Sequence, residues 1–250
     1  MARLSNEVLN TASLARALTP FGLNLIGVAS VASYDAQVGP GHRLGRHLRG
    51  AESAIVVGNG GGAFWKAYRR FCAARPAHGD RRDPLDDFTR EIVETALAPL
   101  VGDTATHILY PFGFAEDGVS FTRLAELAGL GRPSLLGVLV HPVYGPWIAL
   151  RAAILVRERL EAPRPADGFD PCPPCSQRSC IAACPGGAIS ITGFSLPRCG
   201  AHRARADDPC APRCHARVAC VIAPEHRYPE DALAYHQERA REPLLRVSRS

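Results

Sequence analysis

A chain of 250 residues with 46% apolar and 21% charged side chains can bury a sizeable core, which excludes a disordered or fibrous protein. Its 29 Lys and Arg against 24 Asp and Glu leave a formal charge of +5, spread along the chain without a basic-aromatic module, which argues against a dedicated nucleic-acid binder. The opening MARLSNEVLN has no apolar stretch behind its positive charge, and no run approaches the roughly 18 apolar residues of a membrane span, so a soluble cytoplasmic protein is expected.

Residues 4–18 carry Leu and Ala at helical spacing, and TPFG stops them. LNLIGVAS and SAIVVGN read as short buried strands. Between them YDAQVGPGHRLGRHLRG reads as a loop with about a turn of helix. GNGGGAFWKAYRRF is a strand end, a glycine-rich turn and a helix start. Helix N–H groups there could hold a phosphate, but the spacing is neither G-x-G-x-x-G nor a Walker motif. The alternatives are a flexible turn and a close approach to a flat cofactor.

DPLDDFTREIVETALAPLVG is the clearest helix. Asp83 is placed to cap it, Pro84 suits its first position, and Leu85, Phe88, Ile92, Ala96 and Leu97 share a face. THILYPFG reads as a strand and SFTRLAELAGLG as a helix ended by glycine. LLGVLVHPVYGPWIALRAAILV reads as two strands joined at HPVYGP. Residues 158–170 are a proline-rich traverse, 172–220 hold eight cysteines, and PEDALAYHQERAREPLL is a last helix. Alternating helices and strands predict an α/β layered domain with a mixed sheet and the cysteine segment as an excursion.

Three motifs invite chemistry. In VHPVYGPW, Pro142, Gly145 and Pro146 stiffen a strand reversal and fix His141, Tyr144 and Trp147 at a sheet rim. The ninth cysteine, Cys72, reads as core packing, whereas Cys172, Cys175, Cys180, Cys184, Cys199, Cys210, Cys214 and Cys220 exceed any packing demand within 49 residues. In a reducing compartment such thiols are metal or cluster ligands before they are disulfides. The spacing C-x2-C-x4-C-x3-C-P has the two ends of a ferredoxin loop and two surplus residues in its middle gap. One [4Fe–4S] cluster is expected ahead of two, with zinc as the rival. In PEHRYPEDALAYH, Arg227 and Tyr228 stand just before a helix, where an arginine suits a carboxylate or simply a solvated cap.

TPFGLNL, AIVVGNGGGAFWKAYRRF, DPLDDFTREIVETAL, GVLVHPVYGPWIALRAAILV and PEHRYPEDALAYH resemble, in order, stretches of the CblC-type cobalamin-processing proteins over nearly the whole chain. SFTRLAELAGLG with the histidine loop also resembles the corrinoid-binding domain of epoxyqueuosine reductases and reductive dehalogenases, which carry ferredoxin-like motifs after that domain. The resemblance implies a nitroreductase-like fold, with 1–160 and 224–250 as the corrinoid-binding domain and 161–223 as the cysteine-rich segment. It implies cobalamin as cofactor, and removal of its upper axial ligand by reductive decyanation or by dealkylation onto glutathione. The cluster would pass the electrons, and a flavin or ferredoxin reductase would donate them.

By the same resemblance His141 matches a histidine near the corrin, Tyr144, Gly145 and Trp147 the loop around it, and Arg227 and Tyr228 the start of the last helix. Arg151 and Arg227 are the candidates for glutathione carboxylates. The glycine turn and the cysteine region depart from the human CblC pattern. Two alternatives stay open: an epoxyqueuosine reductase-like enzyme acting on tRNA, with Asp117 as its catalytic acid, and a cobalamin chaperone without catalysis.

Overall fold

The computed structural model describes residues 10–79, 81–102, 104–161 and 168–247. The amino-terminal part of the first expected helix and residues 162–167 of the proline-rich traverse lie outside the described residues. The chain forms two compact units, Met1–Leu130 with Ala149–Asp167, and Gly131–Ile148 with Gly168–Ser250. Strands β1 (Leu25–Ser30), β2 (Ser53–Gly60), β3 (Thr106–Leu109), β4 (Arg132–Pro133), β5 (Leu139–Val140), β6 (Ile148–Val156), β7 (Ile189–Ser190) and β8 (Gly193–Phe194) follow one another in the described residues. Among the described residues no helix is long and apolar enough to cross a membrane.

The first unit is built on a four-stranded antiparallel sheet in the order β1-β2-β6-β3, flanked by helices, which is the expected α/β class. Leu25 stands opposite Gly58 and Ser30 opposite Ser53 in one pair, Thr106 opposite Val156 and Leu109 opposite Ala153 in another. All eight residues of β2 are buried, so its two faces are both covered, as its unbroken apolar run requires. Leu14 and Leu18 from helix Thr11–Leu18, Phe64 and Tyr68 from Ala63–Ala74, Phe88, Ile92 and Leu97 from Pro84–Val101, and Leu124 from Phe121–Leu127 fill the core. Asp83 does hold the N-cap position of the long helix, but its side chain makes no capping bond. Two glycines allow close packing. A Cβ on Gly27 would lie 2.3 Å from the Ala128 carbonyl oxygen, and one on Gly22, at φ +78°, 2.3 Å from the Phe64 nitrogen.

The second unit contains little regular structure. β4 pairs with β5 and β7 with β8, each over two residues, and both pairs are antiparallel. The HPVYGP reversal therefore does not join two strands of one long hairpin. β5 is two residues long, pairs with Arg132–Pro133, and leaves a single bridge between His141 and Gly145. Helices Ser179–Ala182, Leu196–Arg203 and His215–Val218 punctuate the cysteine segment. Helix Glu230–Val247 packs on Leu196–Arg203, where Arg203 donates to the Gln237 carbonyl at 2.9 Å and pairs with buried Asp208 at 3.1 Å.

Candidate functional site

The histidine turn is held by its own backbone and by the segment before the last helix. His141 N donates to the Gly145 carbonyl at 2.9 Å, and Gly145 N returns the bond at 2.8 Å. Gly145 adopts φ +56°, and a Cβ there would lie 2.4 Å from the Ile222 carbonyl oxygen, so glycine is required twice over. His141 Nδ1 accepts from the backbone N–H of Val143 at 3.0 Å and of Tyr144 at 3.2 Å. Burial holds its pKa below the usual histidine value. The neutral ring thus carries its proton on Nε2 and presents a donor, not a lone pair, on that side.

The other expected residues of this region meet around it. The Tyr144 ring lies between His141 and His226, with centroids 5.3 and 4.7 Å away. Trp147 is fully buried and meets Tyr228 edge-on at 5.9 Å. Arg217, which sequence reasoning passed over, sits 5.0 Å over Trp147 and 5.1 Å over Tyr228 while donating to the Pro146 carbonyl from Nε at 3.0 Å. Exposed Arg227 lies 5.7 Å over Trp147 and donates to the Val218 carbonyl. Among the described residues the buried Trp147 Nε1 has no hydrogen-bond partner, an orphaned donor beside the histidine turn.

Arg151 belongs to the first unit. It is buried, its Nε donates to Asn59 Oδ1 at 2.8 Å, and its guanidinium covers the Phe64 ring at 4.4 Å. In the same unit Asp117 ends the short helix Phe114–Asp117. His47 Nε2 lies 3.3 Å from the Asp117 carbonyl oxygen and His42 Nδ1 2.8 Å from that of Gly118. The glycine-rich turn continues β2 through Gly58 and Gly60 and caps helix Ala63–Ala74 with Gly62. Asn24 ties it down through both backbone groups of Gly60.

The eight cysteines divide into two sets of four. Cys172, Cys175, Cys180 and Cys220 line a narrow cleft with Leu135, Val140 and Ile222. Cys184, Cys199, Cys210 and Cys214 line a wider cavity of about 470 Å³. The acidities follow the same division. Burial and then Cys220 and Cys172 raise the Cys180 thiol pKa, and burial with Cys172 and Cys175 raises that of Cys220. In the second set burial and Cys214 raise Cys199, and push Cys210 up to about 11. Backbone N–H groups reach thiols in both sets: Leu135 N donates to Cys172 Sγ at 3.4 Å, and Ala188 N to Cys184 Sγ at 3.3 Å. In the first set those of Cys180, Ile181 and Ile222 act to lower the Cys180 and Cys220 pKa values against the effect of burial.

This donor set can be tested against its contents. A zinc ion with Zn–S bonds of about 2.3 Å needs its ligands gathered about one point. Among the described residues no three His, Cys, Asp or Glu side chains are gathered closely enough to hold one ion. Four thiols lining one cavity instead suit a polynuclear cluster, whose cysteines stand further apart around a cube. The surplus middle gap falls within one set, and Cys184, the Cys-Pro member of the loop, leaves for the other. That is the division known for two-cluster ferredoxins, where the fourth cysteine of the run ligates the second cluster.

No family model matches the chain, and no curated protein matches it either. Solved structures do. An epoxyqueuosine reductase bound to an epoxyqueuosine-modified tRNA-Tyr stem loop is similar at 14% identity and a TM-score of 0.56, over 88% of this chain and 66% of that one. The B12-trafficking protein CblC of C. elegans is similar at 16% identity and a TM-score of 0.50, over 95% and 96%. A catabolic reductive dehalogenase complexed with 3-bromo-4-hydroxybenzoic acid is similar at 14% and 0.53, over 99% of this chain and 36% of that one. The chain thus spans about two thirds of the reductase and about a third of the dehalogenase, and it shares its fold with CblC, the epoxyqueuosine reductases and the reductive dehalogenases.

Proposed function

We propose that this protein is a corrinoid-binding iron–sulfur oxidoreductase that reduces cobalamin and thereby releases its upper axial ligand. The observation that carries the reading is the division of eight cysteines into two four-thiol sets beside a histidine turn. When bound, a corrinoid would supply a cobalt whose upper ligand leaves on reduction, and two [4Fe–4S] clusters would supply single electrons. Cys172, Cys175, Cys180 and Cys220 would hold one cluster, and Cys184, Cys199, Cys210 and Cys214 the other. Two clusters replace the single one expected from spacing alone.

The chain's own residues have separable tasks in this reading. His141 offers Nε2–H to a polar edge of the corrinoid, because its other nitrogen is taken by two backbone donors. Gly145 keeps that imidazole in place, and Tyr144, Trp147 and Tyr228 make the aromatic wall behind it. The first set of thiols shares its cleft with Val140, the residue before His141, so electrons held there would be near the turn. Residues 1–160 with 224–250 are assigned to corrinoid binding and 161–223 to the clusters, the donor being a flavin or ferredoxin reductase in the cytoplasm.

Dealkylation onto glutathione draws less support. Arg151 is buried and committed to Asn59, which leaves exposed Arg227 as the carboxylate anchor. A second reading, reduction of a modified base in tRNA, rests on the similar reductase structure and on Asp117, whose turn is clasped by His42 and His47. To separate the readings, anaerobic protein is mixed with hydroxo-, cyano- and methylcobalamin with and without reductant. Reductant-dependent loss of cyanide with a base-off spectrum is expected. A base-off spectrum with the ligand retained would mean a carrier, and no spectral change at all would remove the corrinoid from the account.

A further inference from the structure

We infer that His202 is a hydrogen-bond donor to the group held by the second cysteine set, and that it raises the reduction potential of that group; this rests on the two-cluster reading above. His202 lies in the last turn of helix Leu196–Arg203 and lines the cavity with Cys184, Cys199, Cys210 and Cys214. Its Nε2 is buried and has no hydrogen-bond partner among the described residues. Native interiors rarely leave such an atom unpaired, because it has lost water and gained nothing. An acceptor filling the cavity would complete it, and inorganic sulfide and thiolate sulfur are acceptors.

The ring is not free to seek a partner elsewhere. Its helix end is pinned by Arg203, which pairs with Asp208 and donates to the Gln237 carbonyl. On the other side the backbone at Gly186 presses so close that a Cβ there would lie 2.7 Å from His202 Cβ. The other imidazole lining the cavity, His215, already has its Nε2 2.9 Å from the Pro209 carbonyl oxygen. The first cleft, by contrast, is lined by no histidine. Backbone N–H groups reach sulfur in both sets, and His202 is the side-chain donor that the second set adds. Hydrogen bonds to cluster sulfurs are among the protein's levers on cluster potential: they stabilise the more negative, reduced form.

The test is a potentiometric titration of the anaerobically purified protein, followed by electron paramagnetic resonance, with iron and sulfide measured on the same samples. The wild-type chain is expected to show two midpoints. His202→Leu should keep its iron, lower one midpoint and leave the other in place, and His202→Gln, which retains an N–H donor, should recover part of the shift. Full iron with both midpoints unchanged in His202→Leu overturns the inference and leaves the cluster reading standing. A fall as large in His202→Gln, or loss of iron in both variants, makes the residue a packing element and overturns it too. A wild-type protein without iron removes the cluster reading itself, and this inference with it.

Discussion

In the unit of residues 1–130 and 149–167, β2 is buried over all eight residues and long helices cover an antiparallel sheet. In the unit of residues 131–148 and 168–250, the strand pairs are two residues long and three helices of the cysteine segment have eight residues or fewer. The first has an ordinary apolar core, formed by residues such as Leu14, Ile55, Phe64 and Phe88. The second buries Val140, Trp147, Ile189, Tyr228 and Leu233, and beside them has two cavities lined by half-buried thiols such as Cys172, Cys180, Cys199 and Cys210. Backbone entropy costs about 1–2 kcal/mol per ordered residue, which short elements offset less readily than long ones. Under the proposed function the second unit would draw part of its stability from what its thiols bind, in the way small metal domains do.

The largest effect expected from that contrast is selective collapse. Removing iron with a chelator under reducing conditions should open residues 168–247 to protease while residues 10–79 stay protected, as mapped by mass spectrometry of the fragments. Equal cleavage of both units would show that the thiol-lined unit stands without its contents. Next in size is Gly145→Ala. A methyl group 2.4 Å from the Ile222 oxygen, on a backbone at φ +56°, should cost about 2–4 kcal/mol in denaturant unfolding of the second unit. It should also weaken cobalamin binding at least as much as His141→Ala does. An unchanged midpoint would mean that the turn can shift away from its neighbour.

Two arginine substitutions sharpen the comparison further. Arg151→Met removes the Nε–H bond to Asn59 in the first unit and should cost about 1–3 kcal/mol there, with iron content and cobalamin affinity kept. Arg217→Met removes the donor to the Pro146 carbonyl and the cation over Trp147, and should reduce cobalamin affinity by a similar free energy. Loss of corrinoid binding in the first variant but not the second would reverse the assignment of the site.

The smallest effect is a pH dependence. Burial holds the folded pKa of His141 below the unfolded value of about 6.5, so the unfolded state binds the proton first as pH falls. The stability linked to neutral His141 is present above about pH 6.5 and is lost as pH drops from there through the folded pKa. His47 shifts in the same direction through burial, so only the difference between wild type and His141→Gln isolates the turn. The melting temperature of the variant should fall less between pH 7.5 and 5.5 than that of the wild type, and equal slopes would remove the buried neutral imidazole.

Much of the first unit was legible because its periodicities are local. The apolar runs SAIVVGN and AAILV, and the face Leu85, Phe88, Ile92 of the long helix, declare strand and helix without any knowledge of neighbours. The glycine turn was legible as a turn but not as one tied by Asn24, which is 36 residues from its partner. The site was legible as a set of residues and not as a geometry. His141, Tyr144, Trp147 and Tyr228 do gather, yet the proton position on His141 depends on backbone donors, and Arg217 joins by a fold that no spacing encodes. The grouping of the cysteines was hidden because Cys220 closes the first set across 40 residues from Cys180. The Cys184-Pro185 step was the available signal, since the cysteine before proline in such loops serves the other cluster.

The most direct measurement is the iron and acid-labile sulfide content of anaerobically purified protein, taken for the wild type, Cys180→Ser and Cys184→Ser. The account predicts about eight of each per chain in the wild type and about four in either variant, since each substitution opens one cube of four and leaves the other. Stoichiometric zinc in place of iron, or loss of all iron from a single substitution, would contradict it.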